Sequence, residues 1–380
     1  MSPQAAERAS STLITHYDPI GNGLQNLKAG INGAEELLIR IPNVFPSSFP
    51  PLKSPNKYFT EEKRLAQIAR CSEILGLDEA GSKKLAASNF GLMAAYWCPD
   101  ASDGKYWITF TFMNWIFIFD DQFDEGHLSN DFIAATREVL DTLAIFEENH
   151  PHITERQDPL KHMFQIVWDA IKVTAPIDLQ NLYKENMKRY MLGLLEQLYD
   201  TLHSKEELTV ERYLKYRRDT TAVYVGCDLI AWATTIKLPD SVTRHPLILE
   251  CRDIAADLFG MHNDMLSINK DLRYGTEANL VIKFWRKGHS LQEAMDEAGK
   301  LMYALYDKWD ANVKGIGELG WDEETMVEAR RLLESYSYTV TGTTQWYFES
   351  GRYGLDLDEI RKTSILRVPA DLVQKRMKKA

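Results

Sequence analysis

The chain has 380 residues, of which 44% are hydrophobic and 11% aromatic, and its formal net charge is -11 at pH 7. This composition is typical of a globular protein with a sizeable core and excludes the disordered and fibrous classes. The acidic balance disfavours a nucleic-acid partner, because phosphate backbones bind clustered Lys and Arg. Basic residues occur here as scattered pairs and in a short KRMKK segment near the C-terminus.

The chain has four cysteines, Cys71, Cys98, Cys227 and Cys251. They show neither CxxC pairing nor zinc-finger spacing, so we expect ordinary thiols in a reducing compartment, the cytoplasm. The first thirty residues contain no apolar region typical of a signal peptide, and the uncharged run from Tyr106 to Phe119 is shorter than the ~20 residues of a membrane helix. We therefore expect no membrane insertion, while the oligomeric state stays open.

The first part of the chain differs in composition from the rest. Residues 1 to about 40 are rich in Ser, Ala and Gly, and the segment IPNVFPSSFPPLKSP that follows carries five prolines. Such a stretch favours irregular structure over packed helices or strands. We predict a partly irregular N-terminal arm over residues 1–55.

After this arm the hydrophobic pattern is helical, and strand-like alternation is hardly visible. Apolar residues recur at three- and four-residue spacing over 60–76, 105–122, 129–147, 158–174, 179–203, 208–234, 245–272, 290–313 and 323–350. Ser290 and Glu293 form a capping-box pattern, and Gly126 and Gly275 each follow a predicted helix end. The sequence predicts one all-α domain over 56–360, a helical bundle with a central apolar cavity, and a C-terminal tail over 361–380.

An acidic cluster follows the most apolar segment of the chain. The stretch FIFDDQFDE, Phe117 to Glu125, sets four carboxylates within six positions. On a helix, Asp120 and Asp124 lie one turn apart on one face, near a C-terminus where the macrodipole already adds negative charge. A cation would offset this repulsion, and Mg²⁺ prefers carboxylates combined with substrate phosphates. A solvated helix end is the alternative, but the preceding apolar run favours burial.

A second polar pattern lies in the segment HNDMLSINKDL. Asn263, Ser267 and Asp271 fall at i, i+4 and i+8, along one stripe of the predicted helix 245–272. An amide oxygen, a hydroxyl and a carboxylate suit one hard cation, and the adjacent Lys270 suits an anion. An ordinary polar helix face would have the same pattern without a function.

Together these two patterns resemble the metal motifs DDxxD and NDxxSxxKE of the class I terpene synthases, most like the single-domain fungal sesquiterpene synthases. Here the motifs are DDQFD and NDMLSINKD, with Asp271 where the family usually has Glu. The segment WYFESGRYG resembles the family's WxxxSxRY motif, whose Arg and Tyr correspond to Arg352 and Tyr353. Arg217 precedes Asn263 at a distance similar to that of the family's diphosphate-sensing arginine, and Arg218 is the competing candidate.

One part of the pattern departs from the family. The family breaks a helix a few residues after the sensing arginine, often at a glycine. In this chain Thr220, Thr221 and Ala222 occupy that stretch, and Gly226 comes later. The departure leaves open whether the carbonyl of Thr221 takes the family's effector role.

The resemblance implies three Mg²⁺ ions and a prenyl diphosphate held across the mouth of the cavity. The implied metal ligands are Asp120, Asp124, Asn263, Ser267 and Asp271. The implied diphosphate-binding residues are Arg217, Lys270, Arg352 and Tyr353, and the expected catalytic groups are Asp120, Arg217, Arg352 and Tyr353. The residues expected to line the cavity are Met113, Ile116, Phe117 and Trp346.

We therefore expect a sesquiterpene synthase that ionises farnesyl diphosphate and then cyclises or quenches the carbocation. The alternatives are a linear alcohol product, a geranyl or geranylgeranyl diphosphate substrate, and a non-enzymatic α-helical scaffold. A chain-elongating prenyltransferase would carry a second DDxxD motif, and protonation-initiated cyclisation would need DxDD, whose spacing the LDLDE stretch at 355–359 lacks. The product is not determined by these patterns.

Overall fold

The computed structural model describes residues 35–45, 49–124, 126–203 and 209–377. The first half contains β1 (Glu36–Arg40), α1 (Glu61–Ile74), α2 (Glu79–Ser88), α3 (Phe90–Trp97), α4 (Asp103–Asp124), α5 (Phe132–Leu143), a 3₁₀ turn (Ala144–Phe146), α6 (Pro159–Thr174), α7 (Ile177–His203), α8 (Val210–Thr220) and α9 (Val223–Ala233). The second half contains α10 (Asp240–Thr243), α11 (Pro246–Leu266), α12 (Ile268–Tyr274), α13 (Leu280–Arg286), α14 (Leu291–Gly317), α15 (Glu323–Glu349), α16 (Leu357–Thr363), β2 (Ile365–Pro369) and α17 (Ala370–Met377).

The contacts divide the chain into two units, one of residues 39–366 and one of residues 1–38 with 367–380. The second unit contains α17 and, among its described residues, an ion pair of 3.2 Å between Arg367 and Glu36. Most of the predicted N-terminal arm, residues 1–34 and 46–48, lies outside the described residues. The short strands β1 and β2 pair with each other, a feature that the sequence pattern did not predict.

The larger unit is a helical bundle, which confirms the predicted all-α fold. Helix α11 packs against α8, α14 and α15, and α15 also packs against α3 and α9. Helix α4 lies between α3 and α6. One face of α4 is core, where Trp115 and Phe119 stack at 5.0 Å between ring centroids and Trp115 meets Phe164 of α6 at 4.6 Å. Core packing accounts for the apolar residues on this face of α4. The apolar residues on the opposite face are free to line a cavity.

Several predicted helix ends are confirmed by their capping geometry. The Ser290 hydroxyl accepts from the Glu293 N–H while the Glu293 carboxylate accepts from the Ser290 N–H, which completes the capping box of α14. Gly275 ends α12 in the left-handed conformation, at φ +86°. Capping boxes and terminal glycines are local signals that restrict where a helix begins or ends, so these helix ends can be predicted from the sequence.

Two segments predicted as single helices are each divided in two. The segment 208–234 breaks after Thr221, where Ala222 adopts φ +56°, and the segment 245–272 breaks at Ser267. At the second break the Asp264 carbonyl accepts a hydrogen bond of 2.7 Å from the side-chain amide of Asn279. Hydrophobic periodicity continues through both breaks, so only the tertiary contacts show them.

Helix α3, which the sequence pattern did not predict, is apolar on every face. All of its residues, FGLMAAYW, are buried, and it is too short and uniform to show a 3.6-residue period. It packs between α4 and α15. Its burial places two further side chains, Met93 and Trp97, at the cavity described below.

A buried acid between α7 and α9 makes stability depend on pH. Asp228 accepts a hydrogen bond of 2.7 Å from Asn186, and burial raises the pKa of its carboxyl to about 7. Since the folded protein then holds this proton more tightly than the unfolded chain, the free energy of unfolding falls as pH rises from about 4 to about 7. We expect Asp228→Asn to stabilise the protein more at pH 8 than at pH 5, by a few kcal/mol at most, measured by chemical denaturation. Asp169→Asn, at an exposed position of α6, is the matched control.

If the difference in free energy of unfolding between Asp228→Asn and the wild type does not grow from pH 5 to pH 8, the raised pKa of Asp228 is contradicted. The asparagine keeps an oxygen that can accept from Asn186, so the variant should fold.

Candidate active site

One cavity in the larger unit gathers nearly all of the predicted site residues. It is lined from α3, α4, α7, α8, α11, α12, α15 and the loop after α15, and its lining includes Met113, Ile116, Phe117, Asp120, Asp124, Arg217, Asn263, Ser267, Lys270, Asp271, Arg352 and Tyr353. Along α4 the lining changes from apolar at Phe112 to acidic at Asp124, a distance of about 18 Å at the rise of an α-helix. The cavity therefore has an apolar part and a charged part.

The carboxylates at the end of α4 have two sets of partners, one on α7 and one in the loop after α15. Asp120 accepts a hydrogen bond of 3.0 Å from the Tyr190 hydroxyl, and Asp124 accepts one of 3.1 Å from the Gln197 amide, both from α7. Asp121 lies round the helix and pairs instead with Arg352 at 2.9 Å. This division follows the i, i+4 geometry predicted for Asp120 and Asp124, while Glu125 lies outside the described residues.

The carboxyl groups of Asp120 and Asp124 hold their protons unusually well. Asp120 is partly buried and Asp124 is exposed at the end of α4, and the loss of part of their hydration to the surrounding protein raises the pKa of each. For Asp120 the neighbouring Asp124 and Asp121 raise the pKa further, whereas Lys270 and Arg217 lower that of Asp124. The pair is therefore a site whose negative charge a cation would stabilise.

The second motif lies across the break between α11 and α12. The Asn263 amide donates to the Tyr347 hydroxyl at 2.9 Å, which turns its oxygen toward Arg217 at 3.1 Å. The Ser267 hydroxyl donates to the Asp271 carboxylate at 2.6 Å. The three residues were predicted on one continuous helix, but Ser267 is the junction between two helices. All three still line the same cavity.

The structure distinguishes the two candidate arginines. Arg217 lines the cavity and donates to Asp264 at 3.2 Å, and its Nε is buried without a hydrogen-bond partner among the described residues. Arg218 points to the other side of α8 and donates to both carboxylate oxygens of Asp257, at 2.6 and 2.7 Å, and to Asp253 at 3.1 Å. Arg217 is placed to meet an anion, whereas Arg218 joins α8 to α11.

Arg352 lies over an aromatic pair at the edge of the cavity. Its guanidinium carbon is 4.9 Å from the ring centroid of Phe117 and 5.5 Å from that of Phe90, and these rings stack at 4.4 Å. The Tyr353 hydroxyl accepts from the Asn263 amide at 3.4 Å. Arg352 and Tyr353 therefore contact the two metal-motif segments from the loop after α15.

Trp346 does not line the cavity, contrary to the prediction. It is fully buried, donates its indole N–H to the carbonyls of Ser88 and Asn89 at 2.8 and 3.1 Å, and packs 5.4 Å behind Phe117. Its indole N–H finds backbone partners in the core, which a tryptophan buried this deeply requires.

The helix break beside Arg217 forms without a glycine. Ala222 adopts the left-handed conformation, which costs an alanine about 1 kcal/mol or more, and it lies in the cavity lining with Thr221. The Thr221 hydroxyl is buried with no hydrogen-bond partner among the described residues. Gly226 serves packing instead, because a Cβ there would overlap the ring of Trp97.

The family model described as "Terpene synthase family 2, C-terminal metal binding" matches residues 111–308, just over half of the chain. The chain belongs to this terpene synthase family. It is 33% identical over 318 residues to the (+)-eremophilene synthase of Gibberella fujikuroi, covering 83% of this chain and 88% of that protein. It is 32% identical over 368 residues to the cycloaraneosene synthase of Sordaria araneosa, covering 94% and 98%.

Solved structures agree on the fold of this terpene synthase. The crystal structure of an α-eudesmol synthase matches with a TM-score of 0.70 at 21% identity, covering 79% of this chain and 98% of that one. The family membership confirms the class I resemblance drawn from the motifs and makes the chain an enzyme of the lyase class rather than a scaffold. Among the described residues, no helix combines the length and apolar character needed to span a bilayer.

The donor set of the synthase fits a hard divalent cation. The cavity presents carboxylates from Asp120 and Asp124 on one side and the oxygens of Asn263, Ser267 and Asp271 on the other. Within the described ranges no three His, Cys, Asp or Glu side chains converge as a complete cage. Mg²⁺ commonly completes an all-oxygen set of this kind with water molecules and the phosphate oxygens of a substrate.

Sequence reasoning missed Asn279, which supports the second motif. Its side chain is fully buried, and its amide donates to the Asp264 carbonyl at 2.7 Å and to the Asp271 carboxylate at 2.8 Å. Its oxygen accepts from the N–H groups of Val281 and Ile282 and so caps α13. An Asn before an apolar run is a helix-start signal, but its bond to Asp271 has no sequence signature.

If Asp271 is a metal ligand, as predicted, we expect Asn279→Ser to raise the divalent-metal concentration for half-maximal activity by about tenfold or more, because losing a partner that orients a metal ligand typically has this effect. Serine still caps a helix, so α13 should survive, but it is too short to bridge both acceptors. A metal titration of the initial rate measures the change. Unchanged metal dependence, with loss of thermal stability alone, would make Asn279 a purely structural residue.

Proposed function

We propose that this synthase is a sesquiterpene synthase that ionises farnesyl diphosphate with three Mg²⁺ ions and cyclises or quenches the resulting carbocation. The observation that carries the proposal is the single cavity in which both oxygen-rich motifs and three cationic side chains adjoin an apolar wall. The motif set most resembles that of single-domain fungal sesquiterpene synthases, and the relative from Gibberella fujikuroi is named an eremophilene synthase.

The metal-binding residues would be Asp120 and Asp124 on one side and Asn263, Ser267 and Asp271 on the other. Bound divalent cations neutralise diphosphate charge, which turns a poor leaving group into a good one. Arg217, Lys270 and Arg352 line the same part of the cavity and are placed to stabilise the charge that develops as the C–O bond breaks. The planar guanidinium group of arginine can donate hydrogen bonds to two phosphate oxygens at once.

The apolar part of the cavity suits the allylic cation left after ionisation. The rings of Trp97, Phe112, Phe117 and Phe259 all belong to the lining. Aromatic faces stabilise positive charge without supplying a nucleophile, and together they exclude water. Buried aliphatic and thioether groups such as Ile116, Met93 and Met113 complete this wall and limit the folding of the substrate chain.

The test is to incubate the purified full chain with geranyl, farnesyl and geranylgeranyl diphosphates, with Mg²⁺ or with a chelator, and to analyse the extract by gas chromatography and mass spectrometry. We expect a terpene hydrocarbon or alcohol from farnesyl diphosphate, and only with Mg²⁺. Correctly folded protein that converts none of the three substrates would contradict the proposal. Conversion of the shorter or longer substrate alone would reassign the chain length.

A further inference from the structure

A second pocket adjoins the mouth of the active-site cavity. We name it the outer pocket. Its walls come from the end of α2, from α12 and from the loop after α15, and it shares Asp121, Lys270, Arg352 and Tyr353 with the cavity. Because four residues line both spaces, a ligand bound in the outer pocket lies directly beside the proposed diphosphate site.

The outer pocket is cationic although the chain as a whole is acidic, with a net charge of -11. Its titratable lining includes Lys84, Lys270, Arg273 and Arg352 against one carboxylate, Asp121, which pairs with Arg352 at 2.9 Å. Lys84 and Arg273 are exposed and line only the outer pocket. The surplus is therefore three positive charges.

The active-site cavity lacks this surplus of cations before metal binds. Its lining carries the carboxylates Asp120, Asp121, Asp124 and Asp271 against the cations Arg217, Lys270 and Arg352. Without metal, a multiply charged anion in the active-site cavity lies among more acidic side chains than cations, whereas the outer pocket offers it more cations than acidic side chains. The two spaces therefore differ in whether they need metal to hold an anion.

The outer pocket is also held in shape by defined contacts. The Gly351 N–H donates to the Ala87 carbonyl at 2.9 Å, which fastens the loop after α15 to the end of α2. The Arg352 side chain is about nine-tenths buried, and its Nε has no hydrogen-bond partner among the described residues. A buried guanidinium N–H without a partner is unfavourable, and an anion oxygen would satisfy it.

We propose that the outer pocket is a metal-independent binding site for a diphosphate group, with Lys84 and Arg273 as its distinguishing residues. The proposal rests on the proposed function, since it is the diphosphate chemistry of that reaction that gives the site its ligand. A diphosphate group could reach the outer pocket from two sources. One is the diphosphate of the prenyl substrate on its way into the cavity, and the other is the inorganic diphosphate product on its way out.

The first experiment measures binding of inorganic diphosphate to the full chain by calorimetry in the presence of a chelator. We expect measurable binding to the wild type, weakened at least about tenfold by Lys84→Ser combined with Arg273→Ser, as expected for the loss of two charged contacts. The matched control, Lys172→Ser with Lys287→Ser, also removes two exposed cations and should bind as the wild type does. Asp120→Asn should not weaken this metal-free binding.

Absence of metal-free binding to the wild type, or equal binding by the Lys84 and Arg273 double variant, would overturn the proposal. Because this measurement needs no turnover, its result is independent of whether the chain makes a terpene. A protein that binds diphosphate without metal but converts no prenyl diphosphate would contradict the proposed function and keep the site.

Kinetics then distinguish the two sources of the anion. If the substrate uses the outer pocket on entry, the double variant should lower kcat/KM for farnesyl diphosphate several-fold, with a difference that shrinks as salt is added. If the product uses it on exit, the inhibition constant of inorganic diphosphate should rise or kcat should change. If kcat/KM, kcat and the inhibition constant all equal those of the charge-matched control, the assignment of the site to the substrate or the product of the reaction is overturned.

Discussion

Asp120→Asn is expected to lower kcat by about 10²–10³ or more, as removal of a group that stabilises transition-state charge typically does. Asp120 shares the cavity with Asp124 and the second motif, and an amide there is a weaker ligand for a hard cation. The free energy of unfolding of the metal-free protein should stay the same or rise, because the substitution removes one carboxylate from a crowded group and Tyr190 can still donate to the amide oxygen. Turnover assays and chemical denaturation measure the two effects.

Asp121→Asn is the matched comparison within the same cluster. Asp121 pairs with Arg352 and lies off the face shared by Asp120 and Asp124, so its replacement should reduce turnover much less. Similar large losses in both variants would mean that the whole cluster acts as one metal site. A large loss of stability with Asp120→Asn would instead make the cluster structural.

Arg217→Met is expected to lower kcat/KM for the prenyl diphosphate by about 10²–10³, since it removes a fixed cation from the proposed diphosphate site. Arg218→Met should have the opposite profile. It breaks the pair with Asp257, whose carboxylate is then left buried and unpaired, so it should destabilise the fold by a few kcal/mol while kcat changes little. Steady-state kinetics at 25 °C and denaturant midpoints on the same preparations give both quantities.

The comparison between the adjacent arginines is decisive because the two substitutions remove the same charge and volume. Their effects should differ only through the faces of α8 on which the side chains lie, one toward the cavity and one toward Asp253 and Asp257. Loss of turnover with Arg218→Met at full stability, with Arg217→Met active, would reverse the assignment of the diphosphate-sensing residue.

The proposed site could be predicted closely where it depends on helical spacing. Asp120 and Asp124 face one cavity because residues at i and i+4 share a helix face, and Met113 and Ile116 continue that face toward the apolar part. Asn263, Ser267 and Asp271 meet the same cavity despite the break, because the bonds from Ser267 N–H to Asn263 O and from Asp271 N–H to Ser267 O keep the helical register across it.

Prediction failed where a side chain has partners far away in the chain. Trp346 shares a helix with Tyr347, yet it turns to the carbonyls at the end of α2 and leaves Tyr347 to the cavity. Asn279 holds Asp271 from a different helix. Neither contact produces a periodic signal, because each joins segments whose approach depends on the packing of the whole bundle.

The sequence by itself determined the all-α class, the positions of the long amphipathic helices and the residue types available for metal and diphosphate binding. These follow from local rules, namely the period of the hydrophobic pattern, the capping residues and the spacing of oxygen donors. Only the tertiary structure decided which arginine faces the cavity, where α8 and α11 end, and that Lys84 and Arg273 lie beside the active-site mouth. Such features depend on helix packing at long range, where burial and long-range hydrogen bonds outweigh local preference.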